Sequence, residues 1–201
     1  MPIHSQYRHK NDIMKHILLS ILLCVSFCAN AQEHLTFKGI PIEGSMTAFC
    51  QKLKAKGYTQ MGKDKNITLF SGDFTGRQAT VGIGASDDGK NVFSVVVLFD
   101  PSGEWNTLVS AYNYYKDLYT RKYGEPTVSK ENNPSRSDSN TALMAEVHQG
   151  TVVYGSAWTV SGGDIQLSIE KSSGVYEGMV MIRYRDSQNV EAKIKSDLED
   201  I

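Results

Sequence analysis

Apolar positions recur at helical spacing in two stretches of this chain and at strand-like spacing through most of the remainder. Met46, Phe49, Cys50 and Leu53 stand at i, i+3, i+4 and i+7, the stripe of an amphipathic helix. Ser45 is placed to accept a bond from the first free amides of that helix, and Gly57 supplies a left-handed stop. A longer helix is predicted by Trp105, Leu108, Val109, Tyr112, Tyr115, Tyr119 and Tyr123, which share one face, with Ser102 as cap and Gly124 and Pro126 as terminator. Ala111, Tyr114 and Leu118 lie off that face, so cover on two sides is expected.

Residues 67–70, 79–85 and 92–99 are short β-rich runs separated by Ser71-Gly72-Asp73, Thr75-Gly76 and Asp87-Asp88-Gly89, the spacing of an antiparallel meander. Residues 127–141, rich in Ser and Asn, read as a solvated loop. β-rich runs return at 142–148, 152–160, 164–169 and 175–184, and Val190, Ile194 and Leu198 recur every four residues in a closing helix capped by Asn189. The order helix, strands, helix, strands, short helix predicts an α+β fold. It takes the form of an antiparallel meander sheet with helices on one face, built from two α-then-β-meander units.

Ahead of these elements the pattern is different. Met14-Lys15-His16 precedes an apolar run over residues 17–27, followed by Cys28-Ala29-Asn30-Ala31 and Gln32. A basic start, a short apolar run and an Ala-x-Ala site predict a secretory signal peptide over residues 1–31, cut between Ala31 and Gln32, with 32–201 as a single secreted α+β domain. Residues 1–13 are polar and read as an extension upstream of a start at Met14. The apolar run falls short of the roughly 20 residues that a membrane helix needs, so no integral span is expected in the mature form. Cys24 follows Leu23 and Cys28 follows Phe27, where lipoprotein processing requires a small residue, so cleavage without lipidation is expected. Residues 33–36 lack an apolar period and are expected to be loosely held, with order starting near Phe37.

Composition narrows the partners. With 21 Lys plus Arg against 22 Asp plus Glu the net charge is -1, which offers no field to attract nucleic acid. A hydrophobic fraction of 40% excludes wholesale disorder. Two of the 3 cysteines fall in the leader, and Cys50 alone cannot close an internal disulfide, so stability is expected from the core.

Candidate chemistry is sparse. Beyond the leader the histidines are His34, expected in the loose segment, and His148, expected at a strand end beside Met144 and Glu146; neither is spaced with a nucleophile and an orienting acid. One cysteine and two distant histidines do not make a zinc set. Asp87-Asp88-Gly89 lacks the remaining positions of an EF-hand loop and reads as a hairpin turn. Gly82-Ile83-Gly84 lies inside an alternating strand rather than between a strand and a helix, which removes a phosphate-binding reading. Gly82 and Gly84 instead leave one strand face bare for a neighbouring ring or a partner's backbone. Cys50 belongs to the buried stripe of the first helix and reads as a core residue. No catalytic residue, metal or cofactor is therefore expected.

Phe37-Lys38-Gly39-Ile40-Pro41-Ile42-Glu43-Gly44-Ser45, Gly72-Asp73-Phe74 and Lys122-Tyr123-Gly124-Glu125-Pro126, taken with the leader, resemble short uncharacterised secreted bacterial proteins. The helix-plus-meander order is similar to the β-lactamase-inhibitor-protein-like fold, which small outer-membrane assembly lipoproteins also use. This resemblance implies an extracytoplasmic protein of the bacterial envelope and brings no catalytic motif with it.

The expected function is thus a non-enzymatic, periplasmic or secreted module that binds another envelope or extracellular protein. In the last long β-rich run Tyr176, Val180, Ile182 and Tyr184 alternate with Glu177, Met179, Met181, Arg183 and Arg185. Met179, Met181, Arg183 and Arg185 should then point away from the helices as an interaction face, Met and Arg being enriched at protein interfaces. The alternative is a carrier or sensor holding an apolar or glycan ligand between the aromatic helix and the sheet, on a platform of Tyr112, Tyr115, Tyr119 and Trp158. A secreted hydrolase ranks third.

Overall fold

The computed structural model describes residues 33–132, 139–199 and 201. The signal peptide, its upstream extension and the Ala31 to Gln32 cleavage site lie outside the described residues. The two helical stripes fold as their spacing dictates. α1 (Met46–Ala55) buries Met46, Phe49, Cys50 and Leu53, and the Ser45 hydroxyl accepts the Ala48 N–H at 3.3 Å. α2 (Trp105–Tyr123) buries Trp105, Leu108, Tyr112, Tyr115 and Tyr119 and ends at Gly124, whose φ of 85° an L side chain rarely adopts. Glu104 rather than Ser102 takes its cap position; the Ser102 hydroxyl instead accepts the Glu104 N–H at 3.0 Å. Ala111 and Leu118 are partly buried, whereas Tyr114 is exposed.

β1 (Thr36–Phe37) and β2 (Ile40–Pro41) form a small hairpin through Lys38 and Gly39, both at positive φ. The remaining strands form one antiparallel sheet: β3 (Thr59–Asp64), β4 (Ile67–Phe74), β5 (Arg77–Ala85), β6 (Val92–Leu98), β7 (Val128–Asn132), β8 (Val153–Val160), β9 (Gly163–Lys171) and β10 (Gly178–Asp186). Their spatial order is β3-β4-β5-β6-β10-β9-β8-β7. This is the predicted α+β fold with a meander sheet. Each meander follows its own helix, α1 before β3 to β6 and α2 before β7 to β10, and the two join through their last strands, Val97 opposite Ile182.

Several local expectations are overturned, each for a physical reason. Residues 142–148 are not a strand but lie in α3 (Asn140–Gln149), because Leu143, Met144 and Val147 at i, i+1 and i+4 meet the core and Gly150 closes the helix in the left-handed region. Residues 127–141 are not simply a loop. β7 lies within them, an edge strand with every side chain exposed, held by backbone pairing to β8 that leaves no alternation to read. β3, exposed but for Gly62, escaped the pattern for the same reason. Ser71-Gly72-Asp73 is not a turn but the interior of β4, where Gly72 is needed because the Tyr58 ring occupies the space its Cβ would take. Tyr176, at φ 57°, belongs to the turn ahead of β10 and not to the strand.

The chain ends in α4 (Ser187–Glu199), which buries no residue; Ile194 and Leu198 are exposed. Asn189 does not cap it. The carboxylate of Asp186 accepts the Asn189 N–H at 3.0 Å, while the Asn189 amide donates to the carbonyls of Ile42 and Val92 at 2.9 and 3.0 Å. Nor is the segment before Phe37 loose: Leu35 is buried, and both its N–H and the His34 ring meet the carboxylate of Asp186.

Strand alternation gives the sheet two unlike faces. Phe70, Val81, Val97, Ile182 and Leu167 form a buried row across β4, β5, β6, β10 and β9, in one core with the buried residues of α1, α2 and α3. One residue along, the row Gly62, Leu69, Gly82, Val96, Arg183, Gln166, Ala157 and Val128 crosses all eight strands on the opposite face.

Candidate functional site

The alternation of β10 places Met179, Met181, Arg183 and Arg185 on that opposite face, each partly exposed, as the spacing predicts. Their neighbours across the ladder are Leu98 and Ser168 for Met181, Val96 and Gln166 for Arg183, and Ser94 and Asp164 for Arg185. The two arginines differ. Arg185 is engaged, its Nε donating to both oxygens of Asp164 at 3.1 and 3.2 Å. Among the described residues Arg183 has no carboxylate partner, and its guanidinium leans on the Met181 sulfur at 3.8 Å. Beside it Gly155 and Ala157 lack the bulk to fill the sheet surface and floor a groove of about 250 Å³, bounded by Val128, Gln166, Ser168, Met181 and Arg183.

The first meander adds apolar surface to this face. Leu69 and Ile67 are exposed, and Leu69 lies 3.5 Å from where a Cβ on Gly82 would stand. At Gly84 the space is taken by the Ser94 hydroxyl and the Phe93 ring, because an irregularity in the β5–β6 pairing puts Phe93 and Ser94 side by side. A ring does approach a bare glycine, as the sequence suggested, and it comes from the chain itself. Phe93, Val96 and Leu98 were missed as members of this face, although the alternation of β6 could have shown the last two.

A second concavity lies beside α2. It holds about 360 Å³ between the helix, the Lys38-Gly39 turn and the Thr75-Gly76 turn, with Phe74, Tyr115, Leu118, Tyr119, Tyr123 and Tyr184 in its wall and Lys38 and Lys122 among its lining. Of the expected platform only Tyr115 and Tyr119 reach it. Tyr112 is buried elsewhere, its hydroxyl 2.7 Å from that of Ser156 and 3.2 Å from the carboxylate of Glu131, and burial pushes its pKa up to about 12. Trp158 is core, its indole N–H donating to the Gly124 carbonyl at 3.0 Å and so fixing the end of α2. Phe74, Lys38 and Tyr184 come from other elements, and helical spacing could not reveal them; the Lys-Gly and Thr-Gly pairs are the turn signals that bring two of them in.

Three of the wall phenols are bonded to one another or to a turn. Tyr119 and Tyr184 share a hydroxyl–hydroxyl bond, and Tyr115 shares one with Thr75 at 3.1 Å. Burial raises the pKa of all three tyrosines, so they are neutral at physiological pH.

Elsewhere the chemistry stays thin. His148 sits in the last turn of α3, not at a strand end, with its ring 5.6 Å from that of Tyr176. His34 pairs with Asp186 at 3.0 Å and approaches Glu43 at 3.6 Å, without a nucleophile in the constellation. Among the described residues no group of three or more His, Cys, Asp or Glu side chains is placed to hold a metal ion, and no helix is long and apolar enough to cross a membrane. The Asp87-Asp88-Gly89 segment is the β5–β6 turn; Asp88 is held down to about 2 by the Ser86 hydroxyl and the Lys90 N–H. Comparison with protein-family models, curated proteins and solved structures finds no match for the chain.

Proposed function

We propose that this chain is a non-enzymatic, extracytoplasmic interaction module, built like β-lactamase-inhibitor-type proteins, that binds another envelope or extracellular protein on the open face of its sheet. This reading takes α1 to α3 as the cover of the core face. The observation that carries it is the juxtaposition of Arg183, free of any carboxylate among the described residues, with an apolar surface and a groove floored by Gly155 and Ala157. Its complement is a protein segment that seats an apolar side chain in the groove and offers a carboxylate to the guanidinium, a pairing that gains from the planar fork of Arg. Arg185 is already spent on Asp164 and plays the lesser part.

Crosslinking in intact cells followed by mass spectrometry tests this. Arg183→Glu and Ala157→Leu, which reverse the charge and fill the groove, should each remove a crosslinked protein that the unaltered chain and Arg185→Gln retain. Equal recovery of every partner by all four proteins would sink the proposal.

A second reading has its own observation. The cavity of about 360 Å³ beside α2, walled by aromatic rings, fits a carrier or sensor of a small ligand, and it lies within the range of about 300 to 1,000 Å³ typical of ligand sites. Binding of the uncharged dye phenylnaphthylamine, lost when Leu118→Trp fills the cavity, supports this reading, and retention of the dye by that variant counts against it.

A further inference from the structure

We infer that the cavity beside α2 selects an anionic ligand with an apolar body, such as an aryl sulfonate, sulfate or carboxylate, through Lys38 and Lys122 at its edge and the Tyr119–Tyr184 hydroxyl pair in its wall. This rests on the carrier reading and narrows it to one ligand class. The body of the ligand is set by the rings. Phe74, Tyr115 and Tyr119 stand in the cavity wall, with Phe99 stacked on Tyr115 at 4.6 Å between centroids and Phe37 stacked on Phe74 at 5.9 Å. Phe74, Tyr115 and Tyr119 are buried and packed by these and other rings, so they cannot turn aside and they give the wall a fixed apolar shape.

The charge of the ligand follows from what lines the cavity and what does not. Lys38 Nζ lies 5.6 Å from the Phe74 centroid and Lys122 Nζ 4.8 Å from that of Tyr123, so both ammonium groups sit over rings of the wall. Neither forms an ion pair among the described residues, in contrast to Lys90, Lys116 and Lys193. Among the described residues no carboxylate lines the cavity. Asp73 lies close enough to act on the Tyr115 hydroxyl, but Arg77 acts on it with the opposite sign, so the two lysines set the local balance.

The hydroxyl pair supplies a donor. Tyr119 and Tyr184 carry two phenolic protons and share one bond between them, which leaves one O–H to donate to an occupant of the cavity they line. The Thr75–Tyr115 pair has no such surplus. Thr75 donates to the Phe74 carbonyl at 2.7 Å, and Tyr115 then donates to Thr75. Two ammonium groups that donate but cannot accept, together with this phenol O–H, favour an acceptor-only anionic group over a neutral sugar. Among the described residues the lining holds no Asn, Gln, Asp or Glu side chain, so its side-chain acceptors are hydroxyls alone.

The test is fluorescence titration of the purified protein with two dyes of similar shape, anilinonaphthalene sulfonate, which is anionic, and phenylnaphthylamine, which is not. The sulfonate should bind more tightly. Lys38→Gln combined with Lys122→Gln should weaken it at least about tenfold while changing the neutral dye by less than about twofold, because only the charged group gains from the ammonium donors. Leu118→Trp, or Thr36→Tyr from the opposite wall should Leu118→Trp fail to fold by circular dichroism, should abolish both. If the filling variants abolish both dyes but the lysine changes leave the sulfonate untouched, the anionic preference is overturned and the carrier reading stands. If the filling variants leave both dyes bound, or Leu69→Gln on the sheet removes them instead, both readings of the cavity are overturned.

Discussion

The buried carboxylate of Asp186 accepts the backbone N–H of Leu35 at 2.9 Å across 151 positions of sequence. Its other oxygen accepts the Asn189 N–H at the start of α4, and the His34 ring closes on the first at 3.0 Å. One side chain therefore ties the entry to the β1–β2 hairpin to the end of β10 and caps the terminal helix. Asp186→Ala leaves a buried amide without an acceptor and should cost about 2 to 4 kcal/mol in denaturant unfolding, with Asp186→Asn costing less because one acceptor oxygen remains. A loss below about 0.5 kcal/mol for the alanine variant would show that water replaces the carboxylate without penalty.

Gly72 and Tyr58 make a second such dependence. The Tyr58 ring lies against the Gly72 backbone and its hydroxyl donates to the Asp73 carbonyl at 2.6 Å, so the ring is held at both ends. Gly72→Ala should destabilise by about 1 to 3 kcal/mol through this overlap. The same change in a Tyr58→Ala background should cost much less, a coupling of about 1 kcal/mol or more in a double-mutant cycle. Additive losses would mean that the ring is not what demands a glycine there.

These two contacts mark the boundary of what the sequence could reveal. α1 and α2 were legible because their buried residues follow a single helical stripe, and β10 was legible because its alternation is strict from Met179 to Arg185. Gly72 read as a turn because its partner ring comes from outside the strand, and no local pattern records such an approach. α3 read as a strand because Leu143, Met144 and Val147 satisfy a short β-rich window as well as a helical one. The candidate sites divide in the same way. The sheet face could be read from one strand, but the cavity wall is assembled from α2, two turns and Tyr184, so Lys38, Phe74 and Tyr184 depend on tertiary placement.

The buried phenols make the fold sensitive to alkali. Burial pushes Tyr58 and Tyr112 up to about 12, with the charge of Asp73 adding to the first. In the unfolded chain a phenol ionises near 10, so between about 10 and 12 the unfolded state releases protons that the folded state keeps. The stability these groups contribute is fully present below pH about 10 and is lost as pH rises through their folded values. Absorbance titration of phenolate should show Tyr58 and Tyr112 ionising late, or together with unfolding, and Tyr112→Phe should shift the alkaline transition upward. Ionisation of both near 10 with the fold intact would contradict their burial.

Cys50 provides a kinetic readout of the same core. It lies on the buried stripe of α1, and burial raises the pKa of its thiol against the opposing effects of the Thr68 hydroxyl and of Lys54 and Lys63. Both factors slow alkylation, since the thiolate is the nucleophile and the sulfur must first be uncovered. With peptide mapping to separate it from Cys24 and Cys28, Cys50 should react at least about a hundredfold more slowly in native buffer than in denaturant, at a rate set by opening of the helix. Leu53→Ala, which removes a fully buried neighbour from the same stripe, should accelerate labelling by loosening α1 from the core. Fast labelling of the unaltered protein in native buffer would show that α1 does not cover its cysteine, and an unchanged rate in Leu53→Ala would mean that opening of this helix does not control access to the thiol.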